Sequence, residues 1–309
     1  MRRPSAGRRR GASNGGGSVN RYLYYPGCSL RGASRAYEDS LVAVFKALDI
    51  ELEELEDWNC CGATAHPPID EVNSFALAGR NLAIAEKKNL DLMAPCSACF
   101  LVLNKAQSYL KENPKATQTL EHGLKAAGLA YHGTTKVRHP LDVLVHDVGL
   151  KRIKAHVKKP LTGLKVAPYY GCQIIRSFAA FDRMYYPITM DKLLRAVGTE
   201  VVDYPLKTRC CGGSRKGTLP EVGLSLIHIL LKEASQRGAH IISTICPLCQ
   251  FNLDSFQDEA SQKYGDVSMP VVYFTQLLGL AFGFSAKALG LERNIVATRQ
   301  VLAKFETAA

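Results

Sequence analysis

The ten cysteines of this chain fall into two sets of the same design. The first is Cys28, then Cys60-Cys61-Gly62, then Cys96-Ser97-Ala98-Cys99. The second is Cys172, then Cys210-Cys211-Gly212, then Cys246-Pro247-Leu248-Cys249. In both sets 34 residues separate the adjacent pair from the CxxC. The lone cysteine precedes the pair by 31 intervening residues in one set and 37 in the other. Chance composition does not sort cysteines this way, and the spacing reads as a duplicated metal-binding unit. Thiolates are soft ligands that select zinc, copper(I) or iron–sulfur clusters. Structural zinc and ordinary cubane clusters each take four ligands, so a fifth thiolate is surplus to both. Five suit a larger or less regular cluster, in which one thiolate bridges two irons. Neighbouring side chains diverge, so Cys60-Cys61 and Cys210-Cys211 can each serve one site only at a sharp turn, for which Gly62 and Gly212 supply the freedom. The rival readings are ordinary buried cysteines and a thiol-exchange CxxC.

These sets must be positioned by a sizeable scaffold. A chain of 309 residues suits two domains of roughly 150 residues each. A disulfide framework belongs to small secreted domains, and no apolar secretory segment opens this chain. A cytoplasmic metal protein is therefore expected. Of the net charge of +11, five units come from Arg2, Arg3, Arg8, Arg9 and Arg10 in a Gly- and Ser-rich tail. Residues 1–20 are expected to be a disordered basic tail, 21–160 the first domain and 161–309 the second, with a linker around Lys158 to Gly163. The remaining +6 reads as a mildly basic surface, and basic residues without interleaved aromatics do not argue for nucleic acid. No stretch has the roughly 18 apolar residues that cross a bilayer. The nearest, Val271 to Phe284, reads as a buried strand followed by a core helix, with an interfacial membrane helix as the minor alternative.

Strand and helix signals alternate. Tyr22 to Tyr25 reads as a strand ending at Pro26-Gly27-Cys28, and Leu41, Val44, Phe45 and Leu48 mark a helix over 34–48. Ile50 to Leu55 alternates as a half-exposed strand, Asp70 is a helix N-cap for a run to Lys88, and Leu90 to Ala94 is a strand delivering Cys96. A helix is predicted over 100–111, another over 120–129, and an apolar one over 141–150. The second half replays this order. A strand over 165–170 ends in Tyr169-Tyr170-Gly171-Cys172. Helices follow over 187–197 and 220–236, and strands over 200–204 and 240–245. Val271 to Gly283 closes the second half as Val137 to Gly149 closes the first. This predicts an α/β fold of two pseudo-symmetric halves, each a small parallel sheet flanked by helices, with metal sites at the C-terminal strand ends.

The segments YYPGC, NCCGAT, APCSACF, YYGC, RCCGGS and CPLCQFNLD resemble the duplicated CCG domain of the heterodisulfide reductase B-subunit family, and the resemblance runs from about Arg21 to the end. It implies two noncubane [4Fe-4S] clusters. Cys28, Cys60, Cys61, Cys96 and Cys99 would bind one; Cys172, Cys210, Cys211, Cys246 and Cys249 would bind the other. Zinc in one site is the alternative. It further implies a subunit that cleaves or forms disulfide or lipoyl-type sulfur bonds by one-electron steps, in a cleft where two clusters face the two halves of a disulfide. Partners would be a small ferredoxin-like iron–sulfur subunit and a flavin-containing subunit, in the cytoplasm or at the membrane periphery. The competing function is that of CCG-type electron-transfer or anchoring subunits of succinate or fumarate, glycerol-phosphate or lactate oxidoreductases. His66, His146 and His228 are candidate proton donors, weighed against ordinary surface or core histidines. Arg176, Arg209, Arg215 and Lys216 flank the second set and are candidate anion contacts, weighed against solvated charge.

Overall fold

A computed structural model describes residues 20–63, 69–176 and 181–305. The expected tail lies outside these residues apart from Asn20, and so does His66. The first sheet holds β1 (Asn20–Tyr24), β2 (Ile50–Glu54), β3 (Leu92–Met93) and β4 (Val137–Arg138), in the order β2-β1-β3-β4. The second holds β5 (Lys165–Tyr169), β6 (Glu200–Val201), β7 (Ile241–Thr244) and β8 (Val271–Tyr273), in the order β6-β5-β7-β8. Every pairing is parallel, and the two orders are one topology repeated. The α/β class and the internal duplication expected from the sequence are therefore present.

Parallel sheets need cover on both faces, and the second sheet has it. Val166, Ile241 and Val272 join the core shared with the first half, while Ala167, Ile242 and Val271, one residue along each strand, join a separate core. The shared core forms where Arg35–Ala47, a helix of the first half, packs on Phe274–Ala281, a helix of the second. The Ser40 and Thr275 hydroxyls are 2.7 Å apart across that contact. Val271 to Phe284 thus forms the predicted buried strand and core helix. Among the described residues no helix is long and apolar enough to cross a membrane.

Helix boundaries follow local chemistry. Asp70 caps Glu71–Glu86, its carboxylate accepting from the Asn73 amide at 3.0 Å. Pro220 at the first helical position opens Pro220–Gln236. Three expectations are corrected. The strands predicted over 90–94 and 200–204 pair over two residues only. The helix predicted over 100–111 begins at Ser97, inside the CxxC. The helix predicted over 141–150 is a short α-turn, Pro140–Asp142, then a π-helical stretch, Val143–Gly149, then Leu150–Ala155; Gly149 at φ +82 re-aims the chain there.

Candidate metal centre

In both sheets the first and third strands lie side by side while the second lies outside, so the connections leaving them diverge. That divergence leaves a crevice beyond the C-terminal ends of adjacent strands. Cys28 follows β1, Cys60 and Cys61 follow β2, and Cys96 follows β3. Cys172, Cys210 with Cys211, and Cys246 follow β5, β6 and β7 in the same way. Five thiols from three separate connections are thus brought to one end of each sheet. Cys60 Sγ lies 3.9 Å from Cys28 Sγ, and Cys61 Sγ lies 3.2 Å from Cys99 Sγ. In each set the lone cysteine and the first of the pair are exposed or half-buried, and the other three are buried.

Repeated local devices hold the thiols. Cys96 and Cys246 are N-caps of the helices Ser97–Glu112 and Pro247–Ser255, where the helix dipole favours thiolate. Gly27 and Gly171 immediately precede the lone cysteines at φ +66 and +71. A Cβ there would stand 3.2 Å from Cys99 Sγ and 2.9 Å from Cys249 Sγ. The Tyr25 hydroxyl donates to the Asn59 carbonyl at 2.8 Å, and that of Tyr169 to the Arg209 carbonyl at 2.6 Å. Asn59 and Arg209 each precede the adjacent cysteine pair. Buried Asn81 accepts from the Asn59 amide and donates to its carbonyl, both at 2.9 Å. Asn252 donates to the Cys211 carbonyl at 2.6 Å.

The two sets meet. Across the interface between the halves Cys246 pushes the Cys96 thiol up, while Cys249 and then Cys96 pull the Cys246 thiol down. A hydrogen bond from Cys172 pulls the Cys210 thiol down to about 2, and the bond from Cys211 to Cys210 pushes Cys211 up to about 12. Donation from Cys60 likewise lowers Cys61 and raises Cys60. So many buried sulfurs cannot all be ionised without compensating positive charge. Neighbouring thiols, close-fitting glycines and a demand for positive charge fit a thiolate-held metal or iron–sulfur group.

The other candidates separate. His146 is exposed, with Nδ1 2.7 Å from Asp142 Oδ1. His228 is buried against Tyr264. Lys216 pairs with Glu259 at 2.9 Å and lies over the Phe256 ring. Arg209 and Arg215 are exposed. Arg176, also exposed, acts electrostatically on both Cys172 and Cys210.

Sequence reasoning missed two fully buried residues, Tyr37 and His139, that touch the chain just before each CxxC. It also missed Lys207, whose ammonium is buried 3.0 Å from Asp191 while its carbonyl accepts from the Tyr170 and Gly171 amides beside Cys172. Tyr25 and Tyr169 were findable, since each stands three residues before its lone cysteine.

The chain is similar to known proteins. The cysteine-rich domain family CCG matches residues 22–104 and again 166–254. An 8-methylmenaquinol:fumarate reductase membrane anchor subunit from Wolinella succinogenes is 34% identical, over 89% of this chain and 96% of the relative. The B subunit of the ferredoxin:CoB-CoM heterodisulfide reductase of Methanosarcina mazei is 32% identical, over 93% and 97%. A protein of Archaeoglobus profundus described as similar to the heterodisulfide reductase B subunit is 32% identical, over 85% and 91%. A crystal structure of a hypothetical protein from Helicobacter pylori shares the fold, with a TM-score of 0.73 at 13% identity. That match covers 91% of this chain and 53% of the other, so this chain spans about half of it.

Proposed function

The chain belongs to the cysteine-rich CCG domain family, and from that premise we propose that it is the cluster-bearing catalytic subunit of a heterodisulfide-reductase-like complex. It cleaves or forms a disulfide or lipoyl-type organosulfur bond by one-electron steps. Cys28, Cys60, Cys61, Cys96 and Cys99 hold one noncubane [4Fe-4S] cluster, and Cys172, Cys210, Cys211, Cys246 and Cys249 hold the other. Such a group supplies one-electron redox chemistry and an iron open to a sulfur ligand when it is bound. The protein's share is to fix the thiolates, to shield the inner three of each set from water, and to leave the lone cysteine and the first of each pair toward solvent. Electrons come from a small ferredoxin-like iron–sulfur subunit with a flavin subunit beyond it, in the cytoplasm or at the membrane periphery.

One observation carries this reading: the residues just before the two CxxC turns meet at one hydroxyl, that of Tyr37, 3.3 Å from the Ile245 oxygen and 3.5 Å from the Pro95 oxygen. Two independent electron carriers need no common boundary, whereas a substrate with two sulfur halves does. The second reading, a CCG-type electron-transfer or anchoring subunit, is favoured by the 34% identical relative from the fumarate reductase of Wolinella succinogenes.

The test is anaerobic iron, acid-labile sulfide and zinc analysis of the whole chain and of the C60A/C61A and C210A/C211A variants, followed by reoxidation of the reduced protein. About eight iron and eight sulfide per chain, halved by either variant, support two clusters of four irons. About four iron with one zinc supports zinc in one site. Reoxidation by an organic disulfide supports the sulfur chemistry, and inertness to disulfides with rapid electron exchange with a quinone supports the second reading.

A further inference from the structure

Cys96 and Cys246 are each preceded by a carbonyl, of Pro95 and of Ile245; Tyr37 engages both and His139 the first. The Tyr37 hydroxyl lies 3.3 Å from the Ile245 oxygen and 3.5 Å from the Pro95 oxygen. His139 Nε2 lies 2.9 Å from the Pro95 oxygen. The Leu141 amide donates to Nδ1 at 3.2 Å, which leaves the proton on Nε2 and makes the ring a donor to the Pro95 carbonyl. Both residues are fully buried.

The surroundings immobilise them. Tyr37 stacks on Tyr273 of the other half with centroids 4.4 Å apart and planes 5° apart. Tyr273 is in turn fixed by the Gln250 side chain at 3.1 Å. The His139 ring lies parallel to Phe181, also of the other half, within 11°. Register explains why these groups collect here. Leu92 pairs with Val137 and Ile242 with Val271, and Leu92 and Ile242 each stand four residues before the first CxxC cysteine. His139 and Tyr273 therefore occupy equivalent places in the two halves. Neither thiol set needs them as ligands, and an apolar pair would fill the same space without bridging the carbonyls.

We propose that Tyr37 and His139 are positioning residues that pin the two CxxC turns together, fixing the separation of the thiolate sets and so the electronic coupling between the groups they hold. This rests on the reading that both sets carry redox clusters. It goes beyond that reading by assigning the coupling to two side chains that touch neither iron nor substrate.

The experiment uses the whole chain, loaded anaerobically with iron and sulfide and fully reduced. Electron paramagnetic resonance of the unaltered chain is expected to show a signal split by interaction between the two sites, and the C60A/C61A and C210A/C211A variants give the unsplit references. Y37F and H139L are each expected to keep full iron and sulfide but to lose part of the splitting, and together to lose it. H139Q, which keeps an N–H donor near the Nε2 position, is expected to restore it. If H139L loses iron, Y37F at full iron content decides, because it keeps the ring stack and removes only the hydroxyl. Splitting unchanged in Y37F/H139L at full iron content, or in Y37F alone where H139L cannot be loaded, overturns the proposal, as does an unsplit signal from the fully loaded unaltered chain. A split signal from a chain that no organic disulfide reoxidises overturns the sulfur chemistry and leaves the pin standing.

Discussion

The Tyr25 hydroxyl donates to the carbonyl of Asn59 at 2.8 Å, tying the strand that carries the lone cysteine to the turn that carries the cysteine pair. Tyr169 and Arg209 repeat the bond at 2.6 Å. Each tyrosine is buried, and removing its hydroxyl takes one hydrogen bond from a carbonyl; that of Asn59 keeps the Asn81 side-chain amide as a partner. Y25F and Y169F are each expected to lower stability by about 0.5–1.5 kcal/mol, read by denaturant unfolding. Each is also expected to reduce metal content at its own site while sparing the other.

Gly171 stands at φ +71 with no room for a Cβ beside Cys249. In G171A the left-handed backbone alone costs about 1–2 kcal/mol, and the methyl displaces a thiol. Iron bound at the second site is expected to fall sharply with the first site retained. Elemental analysis of G171A in the C60A/C61A background isolates the effect.

Lys207 and Asp191 form a buried ion pair at 3.0 Å, with the ammonium 3.9 Å from the Tyr186 ring centroid and the carboxylate accepting from Tyr170 at 2.6 Å. Removing one partner of such a pair costs about 3–5 kcal/mol, because the other charge stays buried. K207M is therefore expected to be strongly destabilised, and D191N in the same chain to recover part of the loss. Thermal or urea unfolding of the single and double variants measures the coupling.

Burial pushes His139 down to about 4 from its ordinary 6.5. Between those values the unfolded chain binds a proton that the folded chain refuses, so this group's contribution is complete above pH 6.5 and is lost as pH falls toward 4. The full loss is of the order of 3 kcal/mol. Unfolding free energies across that window are expected to be flatter in H139Q than in the unaltered chain.

Much of this was legible because it depends on local rules. The cysteine spacing picked out the thiols that the fold gathers beyond the strand ends, Asp70 marked a helix start, and Pro220 with its apolar periodicity gave the bounds of Pro220–Gln236. The interface was not legible. Tyr37 meets Ile245 across 208 residues of chain, and nothing near Tyr37 in sequence distinguishes it from an ordinary core aromatic. His139 was hidden because it follows a two-residue strand, too short to show a period. Lys207 reads as a solvated charge unless Asp191 is known to lie beside it.

The second sheet gives one of its faces to the core it shares with the first half. Loosening either half strips cover from the other, so the duplicated units are expected to melt together. A fragment cut at the expected linker would expose an apolar face wide enough to drive self-association.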